Sequence, residues 1–190
     1  MKHTKRLLAV LLTLVLLCTG VPFAFAEDVT IIDSGTCGEW IEESRSFSDS
    51  IHWTFYSDGT MTFSGSGSLR GIYPISINGE TQPSYAASWT THKNSIHSIV
   101  VSDMISDIGD LGGCIELQSV SIQSNITTIG RDAFQGCISL VEITIPNSVM
   151  SIDDYAFYGC RSLTNVEIPD SVMSIGHCAF RNCSSLECIT

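Results

Sequence analysis

A chain of 190 residues with 44% apolar residues, 15 Gly and only 5 Pro is long enough for one or two small domains with real cores, and it lacks the low hydrophobicity of a disordered tail. Its formal net charge of −11 argues against a nucleic-acid partner, because phosphate binding is dominated by Lys and Arg.

The first predicted element is an export signal. Lys2, Lys5 and Arg6 precede an apolar run from Leu7 to Cys18, and Ala24-Phe25-Ala26 stands at the distance expected of a cleavage site. The run is shorter than the ~20 apolar residues of a membrane-spanning helix, and the sequence holds no second one. Residues 1–26 are therefore expected to be removed, leaving no membrane span. Lipid modification at Cys18 is disfavoured by the bulky Leu17 before it. Cleavage takes three positive charges from the net of −11 and leaves −14, the balance of a soluble, acidic protein that is secreted or held at the cell surface.

Residues 27–95 are rich in Ser, Gly, Thr and aromatics and carry no internal period. Ile51-His52-Trp53-Thr54-Phe55-Tyr56 and Thr60-Met61-Thr62-Phe63 flank Ser57-Asp58-Gly59, a hairpin signal, and Ser64-Gly65-Ser66-Gly67 is read as the end of the second strand. A loop is expected from Arg70 to Ala87, with a turn at Asn78-Gly79.

From about Ile96 the chain repeats. The cysteines Cys114, Cys137, Cys160 and Cys183 recur every 23 residues, whereas metal-binding thiols come as closely spaced pairs. A fixed period signals a repeat architecture. The rows are 101–121, shortened by two residues before its Gly-Cys, then 122–144, 145–167 and 168–190, and the last two share twelve identical positions. Ile96-His97-Ser98-Ile99-Val100-Val101 reproduces the segment that closes each row.

Each row has a physical reading. Leu117-x-x-Val120-x-Ile122, Leu140-x-x-Ile143-x-Ile145 and Leu163-x-x-Val166-x-Ile168 alternate as short strands that would stack into a parallel sheet. Asp153-Asp154-Tyr155-Ala156-Phe157-Tyr158-Gly159 is read as a helix of one or two turns ending in a left-handed Gly, with Asn182 taking that place in the last row. Phe134, Phe157 and Phe180 are expected to form one buried ladder, Ile129, Ile152 and Ile175 a second, and the four periodic cysteines a third, reduced and buried as small hydrophobes. The fold class is thus a repeat solenoid of 23-residue units, short parallel strands plus short helices, preceded by a small β-rich module.

The phrase Ile-Pro-x-Ser-Val-x-Ser-Ile-x-x-x-Ala-Phe-x-Gly-Cys-x-Ser-Leu-x-x-Val, read from row 145–167, resembles the repeat of the BspA-like (Treponema pallidum-type) leucine-rich repeats of bacterial surface proteins, over residues 96–190. The resemblance implies an exported, curved solenoid that displays a concave strand face to protein ligands, in some members host-matrix proteins or other bacteria. Residues 27–95 are similar to the β-rich module that precedes such repeats; their simplest role is an N-terminal cap over the first repeat.

Other chemistry finds little support. His52, His92, His97 and His177 show no helical two-His spacing with a nearby acid, so no metal site is predicted. Asp103, Asp107 and Asp110 lack the pattern of a calcium loop and read as a solvated acidic turn. Neither a Gly-x-Ser-x-Gly elbow nor a nucleotide-binding glycine loop is present. No catalytic residue and no cofactor is expected. Cys178 and Cys188 stand outside the periodic pattern, and a disulfide between them would have to cross from one side of the repeat to the other. Cys37 lacks an evident partner, and most of these thiols are expected to be buried and reduced.

For binding, the outward strand positions and their flanks are Ser119, Ser121, Gln123, Glu142, Thr144, Asn165 and Glu167. They fall in rows across one surface, without the Trp, Tyr and Arg that dominate interface hot spots. The expected function is a non-enzymatic protein-binding or adhesion module. Two other readings are a targeting segment of a larger secreted hydrolase and a structural remnant without a ligand. Row 168–190 stops at Thr190, before the residue that would complete its strand. The sequence therefore reads as truncated at its C-terminus, and self-association through that uncapped repeat is a further expectation.

Overall fold

The computed structural model of the chain describes residues 29–37, 40–41, 46–47, 51–69, 76–77, 80–81, 87–102, 104–109, 111–123 and 125–190. The export signal at 1–26, Cys18, Asp103, Asp110 and most of the 70–86 loop lie outside the described residues.

The N-terminal region supplies β1 (Ile31–Cys37), β2 (Trp40–Ile41), β3 (Ser46–Phe47), β4 (Ile51–Tyr56), β5 (Thr60–Ser68), β6 (Ser76–Ile77) and β7 (Glu80–Thr81). The single-turn helix α1 (Ala87–Thr90) and a 3-10 turn at Lys93–Ser95 follow. The β4–β5 hairpin forms where expected, antiparallel with Phe55 opposite Met61. Its turn is closed by the Gly59 N–H donating to the Tyr56 carbonyl at 3.0 Å, with Gly59 at φ +80°. Alternation places Trp53, Phe55, Met61 and Phe63 in the core. Short strands β6 and β7 pair antiparallel on either side of positions 78–79.

The strand β5 does not stop at Ser64–Gly67 but continues to Ser68. Its first half pairs with β4 on one side and in parallel with β8 (Ser98–Val101) on the other; its second half pairs in parallel with β9 (Met104–Ile108). Gly65 and Gly67 have φ of +108° and +122°, a region closed to residues with a Cβ, and so the strand can change direction between its two sets of partners without ending.

Two parallel ladders grow from β5. One runs β5–β8–β10–β12–β14–β16, through β10 (Ser119–Ile122), β12 (Glu142–Ile143), β14 (Asn165–Val166) and β16 (Cys188–Ile189). The other runs β5–β9–β11–β13–β15, through β11 (Thr128–Ile129), β13 (Ser151–Ile152) and β15 (Ser174–Ile175). With β4 and β1 beyond β5, these make one 12-stranded sheet among the described residues. Each full coil thus carries two short strands, where the sequence reading assigned one. The second escapes because a Ser-Ile pair is too short to display a period. It also shows that Asp107 lies in a strand and not in an acidic turn. Register supports the two-residue shortening of the first row: Ile108 pairs with Ile129, 21 residues on, while Gly113 donates to Gln135 in the frame of the Cys114–Cys137 spacing.

The segment read as a helix is a ladder of turns. The N–H groups of Tyr155, Phe157 and Gly159 leave their own coil and donate to the carbonyls of His177, Ala179 and Arg181 at 3.0, 2.8 and 2.9 Å. Those of Ala156 and Tyr158 donate back three residues to Asp153 and Tyr155. A helix would send the N–H of Phe157 to Asp153 and that of Gly159 to Tyr155, whereas here alternate groups stitch neighbouring coils together. Tyr155 itself sits at φ +56°, as do Asp132 at +56° and Cys178 at +55° one coil either side, which interrupts any right-handed run. The left-handed closing residue is where the sequence placed it, at Gly136, Gly159 and Asn182.

The core follows the expected ladders. Phe134, Phe157 and Phe180 stack at centroid separations of 5.4 and 5.1 Å. Cys114, Cys137 and Cys160 are buried and unpaired, and Cys183 is half-buried. Their thiols are more than small hydrophobes: the Sγ of Cys160 lies 3.2 Å from the carbonyl of Phe134, and that of Cys183 lies 3.1 Å from the carbonyl of Phe157. Ile129 and Ile152 are buried, but Ile175 on the outermost strand β15 is half exposed, so that ladder is incomplete.

Candidate strand-face site

Within the β8–β16 ladder each full coil contributes one strand, which brings residues 23 apart into register from Ser119 onward. Ser98, Ser119, Glu142, Asn165 and Cys188 are successive cross-strand partners from β8 to β16, and Thr60 of β5 extends the row at its other end. Beneath the row, Val120, Ile143 and Val166 point into the core. The alternation of a strand makes one residue a wall of the core and the next a surface side chain.

Over β12, β14 and β16 this face deepens into a groove of about 470 Å³. Glu142, Thr144, Asn165 and Glu167 line it, four of the seven strand-face residues read from the sequence. Ser119, directly opposite Glu142, is exposed on the neighbouring strand β10, together with the half-buried Ser121 and the exposed Gln123. These three are outside the groove lining.

The structure adds Asn147, Thr164, Cys188 and Thr190 to the lining. Thr164 donates from Oγ1 to the Val141 carbonyl at 3.4 Å and accepts from Asn165 Nδ2 at 3.4 Å, holding the amide against the strand edge. Cys188 stands 23 residues after Asn165, so the period itself places it on this row. Cys178 and Cys188 are both free thiols, on the turn ladder and on β16.

The residue types favoured at interfaces lie elsewhere, on the turn ladder. The Arg131 guanidinium lies 5.6 Å from the centre of the Tyr155 ring, whose edge-on neighbours Tyr158 and His177 are each 5.8 Å away. Arg131 also approaches Asp132 at 3.7 Å and Asp154 at 3.9 Å. Of the remaining histidines, His52 and His97 are exposed, and His92 pairs with Asp33 at 3.0 Å. Among the described residues, no three His, Cys, Asp or Glu side chains converge as a metal-binding set. Burial pushes the Cys114 thiol up to about 11 and the Cys37 and Cys137 thiols up to about 12, which keeps them protonated and poor nucleophiles.

Residues 111–190 match the family described as BspA type leucine rich repeat region, in 6 copies. Among solved structures, a leucine-rich repeat protein from Eubacterium ventriosum is 24% identical with a TM-score of 0.56, covering 75% of this chain and 38% of that one. A leucine-rich repeat protein from Bacteroides ovatus is 28% identical with a TM-score of 0.51, covering 76% of this chain and 40% of that one. The chain thus spans about two-fifths of the length of these structures. A comparison with curated proteins finds no match.

Proposed function

Because the coils of residues 111–190 are BspA-type leucine-rich repeats, we propose that this protein is a non-enzymatic protein-binding or adhesion module, secreted or displayed at the cell surface, that engages its partner through the strand face. The observation that carries this reading is the groove over β12, β14 and β16. There the repeat period converts single residues into continuous rows of exposed side chains, with β12 and β14 held by ladder partners on both sides and β16 by β14 on one. Rigid rows of this kind suit an extended or convex protein surface. Export is supported by the signal-like composition of residues 1–26. No helix among the described residues is long and apolar enough to cross a membrane.

The same proposal gives residues 27–95 the role of a cap over the first coil. In its support, β4 and β1 continue the sheet beyond β5, so Met61–Gly65 of the strand at which the ladders begin is paired on its outer edge with Ile51–Phe55. An open edge there would be a template for unwanted pairing.

The test is retention of the purified chain on immobilised host-matrix and bacterial surface proteins, beside a Glu142→Arg/Glu167→Arg variant. Both positions are exposed, so the variant should keep the wild-type circular dichroism and melting temperature while losing retention. Undiminished retention by that folded variant would remove the strand face from the account.

A further inference from the structure

Resting on the strand-face reading, we infer that the partner segment is cationic and extended: a stretch of peptide carrying Lys or Arg at alternate positions, laid across β12, β14 and β16. The groove is lined by two carboxylates, Glu142 and Glu167, and by no Lys, Arg or His. Both carboxylates are exposed, and no described basic side chain forms an ion pair with either.

The described cations are engaged or placed elsewhere. Lys93 donates from Nζ to the Gly112 carbonyl at 2.6 Å and lies over the Trp89 ring. Arg131 sits between Asp132 and Asp154, and Arg181 reaches the Cys178 sulfur at 3.8 Å. Arg161 is exposed in the turn after Cys160, outside the groove lining. Charge is therefore segregated, with arginines on the turns and unopposed carboxylates on the strand face.

Spacing refines the partner. Glu142 is the cross-strand neighbour of Asn165, and Glu167 lies two residues beyond Asn165. The two carboxylates are thus one strand apart and two residues along, a diagonal of roughly 8 Å. Alternate side chains on one side of an extended peptide repeat at about 7 Å, close enough for two basic residues with one between them to reach both acids. The hydroxyl and amide groups of Thr144, Asn147, Thr164 and Asn165 offer partners for such a peptide's backbone, and Ile145, Val166 and Pro169 offer apolar surface for Lys or Arg stems. An acidic segment would meet like charges with no compensation.

The experiment measures fluorescence anisotropy of three labelled peptides, with Arg, Gln or Glu alternating with Ser, titrated with the full chain. Two variants accompany it: Glu142→Gln/Glu167→Gln, which neutralises the groove, and Glu116→Gln/Asp107→Asn, which removes the same charge elsewhere. The expected result is binding of the Arg peptide alone, weakened about tenfold by the groove variant and by less than about twofold by the control, with a marked loss at high salt. Equal binding of the Gln or Glu peptide, or equal loss in both variants, would overturn the inference, the latter by reducing the effect to diffuse negative charge. If the Arg peptide ignores the groove while a matrix protein still loses retention on the Glu142→Arg/Glu167→Arg chain, the cationic assignment fails and the strand-face reading stands. If neither responds, both fail.

Discussion

The rings of Phe134 and Phe157, one coil apart, stack with centroids 5.4 Å apart and an interplanar angle of 15°. Phe180 continues the stack at 5.1 Å and 5°, which makes Phe157 the central layer, in contact with a ring on each side. Both Phe134 and Phe157 are fully buried, and Phe180 is only partly so. Replacing a fully buried Phe by Ala costs about 3–5 kcal/mol. Phe157→Ala should therefore fall in that range by urea denaturation, and Phe180→Ala clearly below it. Equal losses would show that the stack is not the element that couples the coils.

The closing turn of each coil isolates a backbone effect. Gly159 has φ +75°, and an added Cβ would meet nothing closer than the Gly136 Cα at 4.0 Å. Gly159→Ala should then cost about 1–2 kcal/mol from the left-handed conformation alone. Gly159→Asn should cost less, since Asn182 holds φ +64° at the equivalent place. Gly112→Ala tests the opposite case, because its Cβ would press on the Asp132 and Gln135 carbonyls at 2.8 and 2.9 Å. Melting temperatures of the three variants separate conformational cost from collision.

The buried thiols predict an alkaline limit. Burial raises Cys137 from the ordinary 9.0 to about 12 and Cys114 to about 11, so the folded chain holds protons that the unfolded chain releases first. The stability they contribute is complete below about pH 9 and is lost as pH rises toward 11–12. The urea midpoint should fall across that window, and less so for Cys137→Ala relative to its own value at pH 8. At neutral pH a maleimide should label the exposed Cys188 well before Cys114, Cys137 or Cys160.

At the other end of the molecule, His92 donates from Nε2 to Asp33 at 3.0 Å and stacks on Phe55 with centroids 4.5 Å apart. That hydrogen bond holds the Asp33 carboxyl below its ordinary value of 3.8. Its contribution is present above that value and disappears as pH falls through the folded one. The exposed carboxylate makes the effect small, so Asp33→Asn should flatten only the most acidic limb of a stability profile followed by Trp fluorescence. A change near neutral pH would contradict the assignment.

The repeat frame was legible because it rests on positions that must meet the same packing or backbone demand in every coil. Phe134, Phe157 and Phe180 share one layer, and Gly136, Gly159 and Asn182 share one backbone conformation. The turn ladder was misread because Asp-Asp-Tyr-Ala-Phe-Tyr-Gly has ordinary helical composition; what excludes a helix is hydrogen bonding to the coil 22 residues ahead, which local sequence does not display. The second ladder was missed for a related reason, since Thr128–Ile129 and Ser151–Ile152 are strands only by virtue of their neighbours. On the strand face, the alternating residues Glu142, Thr144, Asn165 and Glu167 follow from the period, whereas Thr164 and Asn147 line the groove through the path of the chain around each strand end.

The two partnerships of β5 have a consequence for how the array is assembled. Thr60–Phe63 sets the register of Ser98–Val101, and Ser66–Ser68 sets that of Met104–Asp107. Each later coil copies its own two strands from the coil before. The phase between the ladders is thus cast once, in the two residues Ser64 and Gly65, and handed down the stack like a screw thread from its first turn. An insertion of one residue there would invert which face one half of β5 shows to the core while leaving the other half in place. The first coil could then satisfy one ladder or the other, and every coil above it would inherit the fault.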